Sequence, residues 1–302
     1  MKLFSPQSKI LHWTIMLVLA VVWGSSFILM KKGLETFPAD QVGALRVSIT
    51  FIFLIPFALY HIKSVKKHHW KYLLVVGFIG NFFPAFLFAE AQTGIDSSTA
   101  GILNSLAPLF TLIISVLFFK SKAKWFNVLG IFIGLAGACG LLYMSGTKGF
   151  SNNFWFGSFI VLATIMYGIN LNVVKKYFDD LEPIAITAFA FMLCGIPATI
   201  YLCFTDFPHI VATNDKAMFS LLCLIMLAVI GSALALIAYY YLIKFTNVLF
   251  AASVTYMVPV IAIFWGMADG ENFKLIYLLW IALILIGVLL VNKKTGYDEI
   301  MH

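Results

Sequence analysis

The sequence predicts an all-α membrane protein, with ten transmembrane helices arranged as two inverted five-helix repeats. Three observations predict it. The chain is 62% hydrophobic and 11% charged, with a mean hydropathy of +0.98, whereas soluble domains carry about 25% charged residues. Its apolar runs reach the roughly 20 residues that cross a bilayer core as helix. Finally, one stripe of polar and small residues occurs twice. It reads Ser97, Gly101, Asn104, Pro108, Thr111 and Ser115, then Val248, Ala252, Thr255, Pro259, Ala262 and Gly266 at an offset of 151. Steps of four and three put each set on one helix face. Each stripe carries a mid-helix proline, which removes a backbone hydrogen bond and kinks the helix. In lipid such a break persists where it faces protein or a water-filled cavity.

Ten spans follow, near 11–32, 42–60, 71–93, 97–119, 125–145, 154–176, 184–205, 218–244, 248–267 and 273–292. The first is too long for a cleaved signal peptide and lacks an A-x-A-like site, so it belongs to the mature chain. The second starts at Arg46, read as an outer interface anchor. Asn81 and Pro84 put a breakable point in the third, and the two stripes form the fourth and ninth. Gly130, Gly134, Gly137 and Gly140 give the fifth a close-packing face. The polar, glycine-containing stretch 146–153 is the linker between halves, which run 11–145 and 154–292. Tyr239, Tyr240 and Tyr241 end the eighth span; successive residues turn about 100°, so they cannot share a face. Glu271 precedes the tenth and reads as its capping residue.

The halves match elsewhere. At an offset of 144, Trp23 pairs with Tyr167, Gly24 with Gly168, Ser26 with Asn170, and Lys31-Lys32 with Lys175-Lys176; at 150, Gly137 pairs with Gly287. Five spans per half forces the second half to enter from the opposite side. This is a frequent transporter architecture, with the site near the midplane between repeats. Most lysines fall on one side if both termini are cytoplasmic, as the positive-inside rule requires. Lys31 and Lys32 depart from it, and snorkel to the interface.

Other classes are poorly supported. The net charge of +7 comes from lysines flanking apolar segments, with no aromatic-interleaved face for nucleic acid. Cys139, Cys194, Cys203 and Cys223 sit in apolar runs without CxxC or metal spacing, so neither disulfide nor metal is expected. No Walker motif or HExxH is present, and no cofactor is expected. Histidines and aspartates fall at span ends, away from where an intramembrane enzyme needs them. A channel or scaffold stays as the other alternative, without a visible filter loop.

The segment Trp23-Gly24-Ser25-Ser26-Phe27 with Lys31 resembles the opening helix of EamA-type drug/metabolite transporters. So does the run from Ser98 to Pro108, and Gly270-Glu271-Asn272-Phe273 with Ile286-Gly287-Val288-Leu289-Leu290 resembles that family's ending. The resemblance implies ten helices, a central cavity lined by spans 1, 3, 4, 6, 8 and 9, export of small metabolites, and a bacterial inner (cytoplasmic) membrane. The family often places Gly-Glu after both proline helices; here the position matching Glu271 is Ser121.

The candidate cavity residues are Trp23, Gly24, Ser26, Asn81, Phe86, Glu90, Asn104, Pro108, Tyr167, Asn170, Tyr240, Thr255, Tyr256 and Pro259. Trp23 and Tyr167 can wall a ligand by stacking or cation–π contact. Asn104 and Thr255 can bond a substrate or satisfy carbonyls freed by the prolines. Glu90 has two readings: a cavity carboxylate that binds a proton or a cationic amine, or an interfacial carboxylate near the end of its helix. The expected partners are a small-molecule substrate and the bilayer, with oligomeric state open.

Overall fold

The computed structural model describes residues 9–119, 124–144, 150–246, 251 and 253–292, and among these there are helices and no strands. Ten helical segments are labelled here. They are α1 Lys9–Leu34, α2 Ala39–Tyr60, α3 Lys67–Ala91, α4 Ser97–Phe119, α5 Trp125–Met144, α6 Phe150–Tyr177, α7 Pro183–Cys203, α8 Ala217–Phe245, α9 Val258–Ala268 and α10 Ile276–Asn292. The first eight contain stretches long and apolar enough to cross a membrane, and α9 and α10 are shorter apolar helices. A short helix, Phe207–Thr213, joins α7 to α8.

Proline accompanies the breaks in the two stripe helices. Both stripe helices were expected to kink; instead they are interrupted. α4 comprises Ser97–Asn104 and Ala107–Phe119, separated at Ser105 and Leu106. Ahead of α9, a 3-10 turn at Ser253–Tyr256 and then Met257 precede the helix proper. Pro108 and Pro259 thus occupy the first turn of the second piece, where a missing N–H leaves nothing unpaired. At the α4 break, Ser105 N–H bonds Ile102 O and Leu106 N–H bonds Leu103 O, the tighter i−3 pattern.

Two stretches widen to π-helix: Phe78–Phe82 in α3, just before Pro84, and Leu227–Leu234 in α8. Side chains take up the carbonyls such stretches release. Asn81 Nδ2 donates to Val76 O at 2.8 Å, Trp23 Nε1 to Gly231 O at 3.1 Å, and Thr50 Oγ1 to Ala228 O at 3.0 Å.

Small residues set the packing. α2 lies along α7, and α5 along α10. α1 crosses α9 where Gly24 faces Ile261 and the Val258 carbonyl, and Trp265 Nε1 donates to Ser25 Oγ at 2.8 Å. α6 crosses α4 where Gly168 abuts the Phe110–Thr111 backbone, a Cβ there falling 2.9 Å from Phe110 C. Asn172 Nδ2 reinforces that crossing by donating to Thr111 O at 3.0 Å.

The expected spans shift at several ends. Residues 146–149 of the expected linker lie outside the described residues, and 150–153 are already helical. The expected ninth span, 248–267, retains its second half as α9; residues 247–250 and 252 lie outside the described residues.

Candidate functional site

A cavity of about 100 Å³ lies among α1, α2, α3, α4, α6, α8 and the Ser253–Tyr256 turn. At about 10–15 Å³ of probe-occupied volume per water, it holds on the order of seven to ten waters. Trp23 and Tyr239 meet edge to face, with ring centroids 4.8 Å apart, and Tyr167 stacks near Phe88 at 6.0 Å. These four rings and Phe27 form the aromatic wall. Ser26, Asn81, Asn104, Asn170 and Thr255 supply the neutral polar groups. Asn170 Nδ2 donates to the Tyr240 hydroxyl at 3.1 Å, and Asn170 Oδ1 is buried without a hydrogen-bond partner among the described residues. The Asn104 side chain makes no hydrogen bond among the described residues and faces the cavity, so it does not serve the carbonyls freed at the break.

One charge enters this lining, the guanidinium of Arg46, which is the chain's only arginine. Its Nε donates to Ser232 Oγ at 2.9 Å. Among the described residues no carboxylate lies within 4.0 Å of it. A charge held at membrane depth costs about 2.5–3.5 kcal/mol on insertion scales, which singles out such residues as functional. Arg46 is therefore no interface anchor: α2 begins at Ala39, which carries Arg46 two turns into the helix.

The structure gathers Trp23, Ser26, Asn81, Asn104, Tyr167, Asn170 and Thr255 around the cavity, and leaves others outside it. Gly24 is a helix-crossing contact. Pro108 and Pro259 are buried behind the breaks they sit beside. Phe86 packs over Gly43 of α2. Tyr240 is buried one layer back, supporting Asn170, while its neighbour Tyr239 lines the space. Glu90 is exposed in the last turn of α3 and does not line the cavity. The side chain of Tyr256 lies outside the described residues. The missed residues are chiefly Arg46 and Tyr239, with Phe27, Gly80, Phe88 and Gly231.

A second cluster closes the end of the bundle where α1 finishes. Lys31 Nζ lies 2.8 Å from Glu271 Oε1 and 2.7 Å from Asp269 Oδ2; Lys32 Nζ lies 2.6 Å from Asp269 Oδ1 and 2.7 Å from Glu35. Glu271 also accepts from Ser97 N–H at 2.9 Å, Ser97 Oγ at 2.7 Å and Ser98 N–H at 3.1 Å. Glu271 thus caps α4 across the molecule rather than α10 beside it. The local N-cap residue, Asp96, makes no side-chain cap bond. Burial pushes the Glu271 carboxyl up, but Lys31, Ser97 and Ser98 together hold it below its ordinary value. Asp269 is likewise raised by burial and lowered further by Lys31 and Lys32. Asp96, raised by burial and by the Glu271 charge, ends above its ordinary value. At the opposite end, among the described residues, Lys175 reaches only the Ile243 carbonyl, at 3.5 Å, and Lys176 lies over the Phe119 and Tyr177 rings.

Metal-type ligands come together at that opposite end too, in His68, His69 and Asp180, residues too far apart in the chain for a spacing motif. Both ring nitrogens of His69 are already engaged. Nδ1 accepts from Lys66 N–H at 3.1 Å, so Nε2–H donates to Asp180 Oδ1 at 2.9 Å. Hydrogen bonds from Lys66 and His69 lower the Asp180 carboxyl to about 2. A depressed carboxyl stabilises above its unfolded value and loses that contribution as pH falls through the folded one. The exposed pair makes the effect small. Melting followed against pH is expected to show a loss between about 4 and 2 that Asp180→Asn abolishes.

Apolar helices around a cavity lined by aromatic and neutral polar groups and one charge define the class: a multi-pass membrane protein. Comparison with known proteins gives the family. The EamA-like transporter family model matches residues 12–143 and 155–293, and the chain belongs to that family. It is 28% identical over 290 residues, 91% of this chain and 88% of the other, to the uncharacterized inner membrane transporter YedA of Escherichia coli. It is 20% identical over 294 residues, 94% and 93% of the two chains, to a probable terminal-alkyne amino-acid exporter of Streptantibioticus cattleyicolor. One solved crystal structure of a protein shares the fold with TM-score 0.64 at 14% identity, covering 92% of this chain and 94% of that one. The family consists of transporters rather than enzymes.

Proposed function

We propose that this protein is a secondary transporter that exports small polar or amphipathic metabolites, amino acids among them, by alternating access across an inner (cytoplasmic) membrane. One observation carries the reading: the cavity is lined by matched residues from both halves. Trp23 and Tyr167, Ser26 and Asn170, and Phe27 and Leu171 share the offset of 144; Gly80 and Gly231, and Asn104 and Thr255, share 151. The packing supports the same pairing. The α1–α9 crossing corresponds to α6–α4, while α2–α7 and α5–α10 correspond to themselves. On this reading 11–145 and 154–292 are oppositely inserted repeats joined by 146–153, and ten crossings leave both termini in the cytoplasm.

The interrupted α4 and α9 and the π stretches of α3 and α8 supply the hinges, since broken helical segments bend where regular ones resist. The relatives' names support an inner-membrane carrier and an amino-acid cargo. The test is counterflow in liposomes containing the purified protein. Saturable exchange is expected, falling at least about tenfold in Trp23→Ala, which loses the aromatic wall and the bond to Gly231 O. Ohmic conductance without exchange overturns the carrier reading.

A further inference from the structure

Several lining residues lack a lining counterpart in the other half, and one of them, Arg46, carries the only charge on the lining. Arg46 projects from α2, while its symmetry-related helix, α7, contributes nothing to the cavity. With Nε held by Ser232, the outer nitrogens of the guanidinium keep their donors and have no acceptor among the described residues. Those donors form a planar fork that matches a carboxylate in bidentate fashion. Around the fork stand neutral groups, with Tyr167 within Coulombic reach and Asn81 and Asn104 on the same lining. Apart from Ser26, Asn170 and Thr255, the other side chains of the wall are aromatic or aliphatic, from Trp23, Phe88 and Tyr239 to Leu171 and Leu236.

We infer that Arg46 receives the carboxylate of the cargo, which makes the substrate class monocarboxylates with an apolar or aromatic body. This rests on the carrier reading and deepens it. A single cation is balanced by a single anion, and the neutral complex travels through a low-dielectric core at least cost. A dianion such as phosphate leaves one negative charge uncompensated, and an amine meets a like charge with no carboxylate on the lining to receive it. An α-ammonium group, where the cargo has one, faces ring faces and amide oxygens, so it is tolerated and dispensable. The volume agrees: seven to ten waters at about 30 Å³ of liquid each amount to roughly 200–300 Å³ displaced, enough for a small carboxylic acid with one ring.

The experiment uses the full-length protein in detergent and in liposomes, with phenylpyruvate, phenylalanine, phenethylamine and inorganic phosphate as probes. Ligand-induced thermal stabilisation reads binding directly; counterflow reads transport. Phenylpyruvate and phenylalanine are expected to stabilise and exchange, phenethylamine and phosphate to do neither. Arg46→Gln is expected to weaken phenylpyruvate binding at least tenfold, and Arg46→Lys to restore part of it, since a point charge replaces the fork. The wild-type panel alone decides if Arg46→Gln fails to fold. Stabilisation by phenethylamine or phosphate equal to that by the carboxylates, or by no carboxylate at all, overturns the inference. Carboxylate-dependent stabilisation without exchange overturns the carrier reading and leaves Arg46 as the anion site. Saturable exchange indifferent to the carboxylate does the reverse.

Discussion

Glu271→Ala is expected to raise, by roughly tenfold or more, the rate at which a membrane-impermeant thiol reagent reaches the cavity from the end where α1 finishes. The reporter is Ser26→Cys, on the cavity wall, in a background with Cys139, Cys194, Cys203 and Cys223 replaced. The reason is the position of Glu271, whose side chain is 5% exposed and joins three elements at once. It accepts from Lys31 of α1 and from Ser97 and Ser98 at the start of α4, while itself lying just past α9. On the alternating-access reading, α1, α4 and α9 part when the cavity opens at this end.

Removing the carboxylate orphans the Ser97 and Ser98 donors only while that end stays closed, because water satisfies them once it opens. A buried donor without a partner costs about 1–3 kcal/mol, and about 1.4 kcal/mol moves an equilibrium tenfold. The closed state alone therefore loses, and the population shifts. Glu271→Gln, which keeps an acceptor for the serines but loses the charge facing Lys31, is expected to fall between. Asp269 and Glu271 are both held below their ordinary values, so the lock is complete above the usual carboxylate range and is lost only as pH falls through the depressed values. Wild-type labelling, corrected for reagent chemistry, should thus be flat from pH 8 to about 5. Equal labelling of Glu271→Ala and its parent at neutral pH would remove the lock.

Most of the scaffold could be read from the sequence because apolar runs and turn residues bound each helix locally. The range 97–119 matches α4 end to end, yet the interruption inside it was read only as a kink. Hydropathy runs unbroken through Ser105 and Leu106, and the break depends on how the two pieces pack. Trp23 and Tyr167 were legible because duplication repeats a residue's facing along with its type. Gly24 was misplaced by its neighbour: one residue on is about 100° round the helix, toward α9 rather than the cavity.

The choice of Tyr240 over Tyr239 failed for a related reason. The π stretch Leu227–Leu234 lies just upstream, and its wider turns rotate every later face away from a 3.6-residue pattern. Arg46 reads as an anchor when α2 begins at 42; three further residues of helix move it inward. Glu271 was given the nearest helix to cap, whereas its partners are 173 and 174 residues distant in sequence. Non-local contacts of that kind leave no periodic trace.

Gly287→Leu is expected to destabilise the protein by about 1–3 kcal/mol or more, the range for overpacking a close-packed contact. A Cβ at 287 falls 2.5 Å from Gly134 N and 2.6 Å from both Gly130 O and Gly134 Cα. These are backbone atoms of α5, which cannot rotate aside as a side chain does, so the α5 and α10 axes must separate. Separation is resisted at both ends of the pair, by Asn127 Nδ2 on Leu290 O at 3.0 Å and by the Tyr277 hydroxyl on Met144 O at 3.2 Å. Lipid does not return the lost contacts, because packing rather than the hydrophobic effect holds membrane helices together.

Melting followed by the monodisperse fraction on size exclusion should show Gly287→Leu lowest and Gly287→Ala intermediate. Leu289→Ala, whose side chain is exposed two positions on, should stay near the parent. A Gly287→Leu melt indistinguishable from the parent would mean that the helices do not meet there. Neither α5 nor α10 contributes a residue to the cavity. Protein of the Gly287→Ala variant that remains folded should therefore keep its substrate KM, separating the pair that supports the bundle from the helices that hold the cargo.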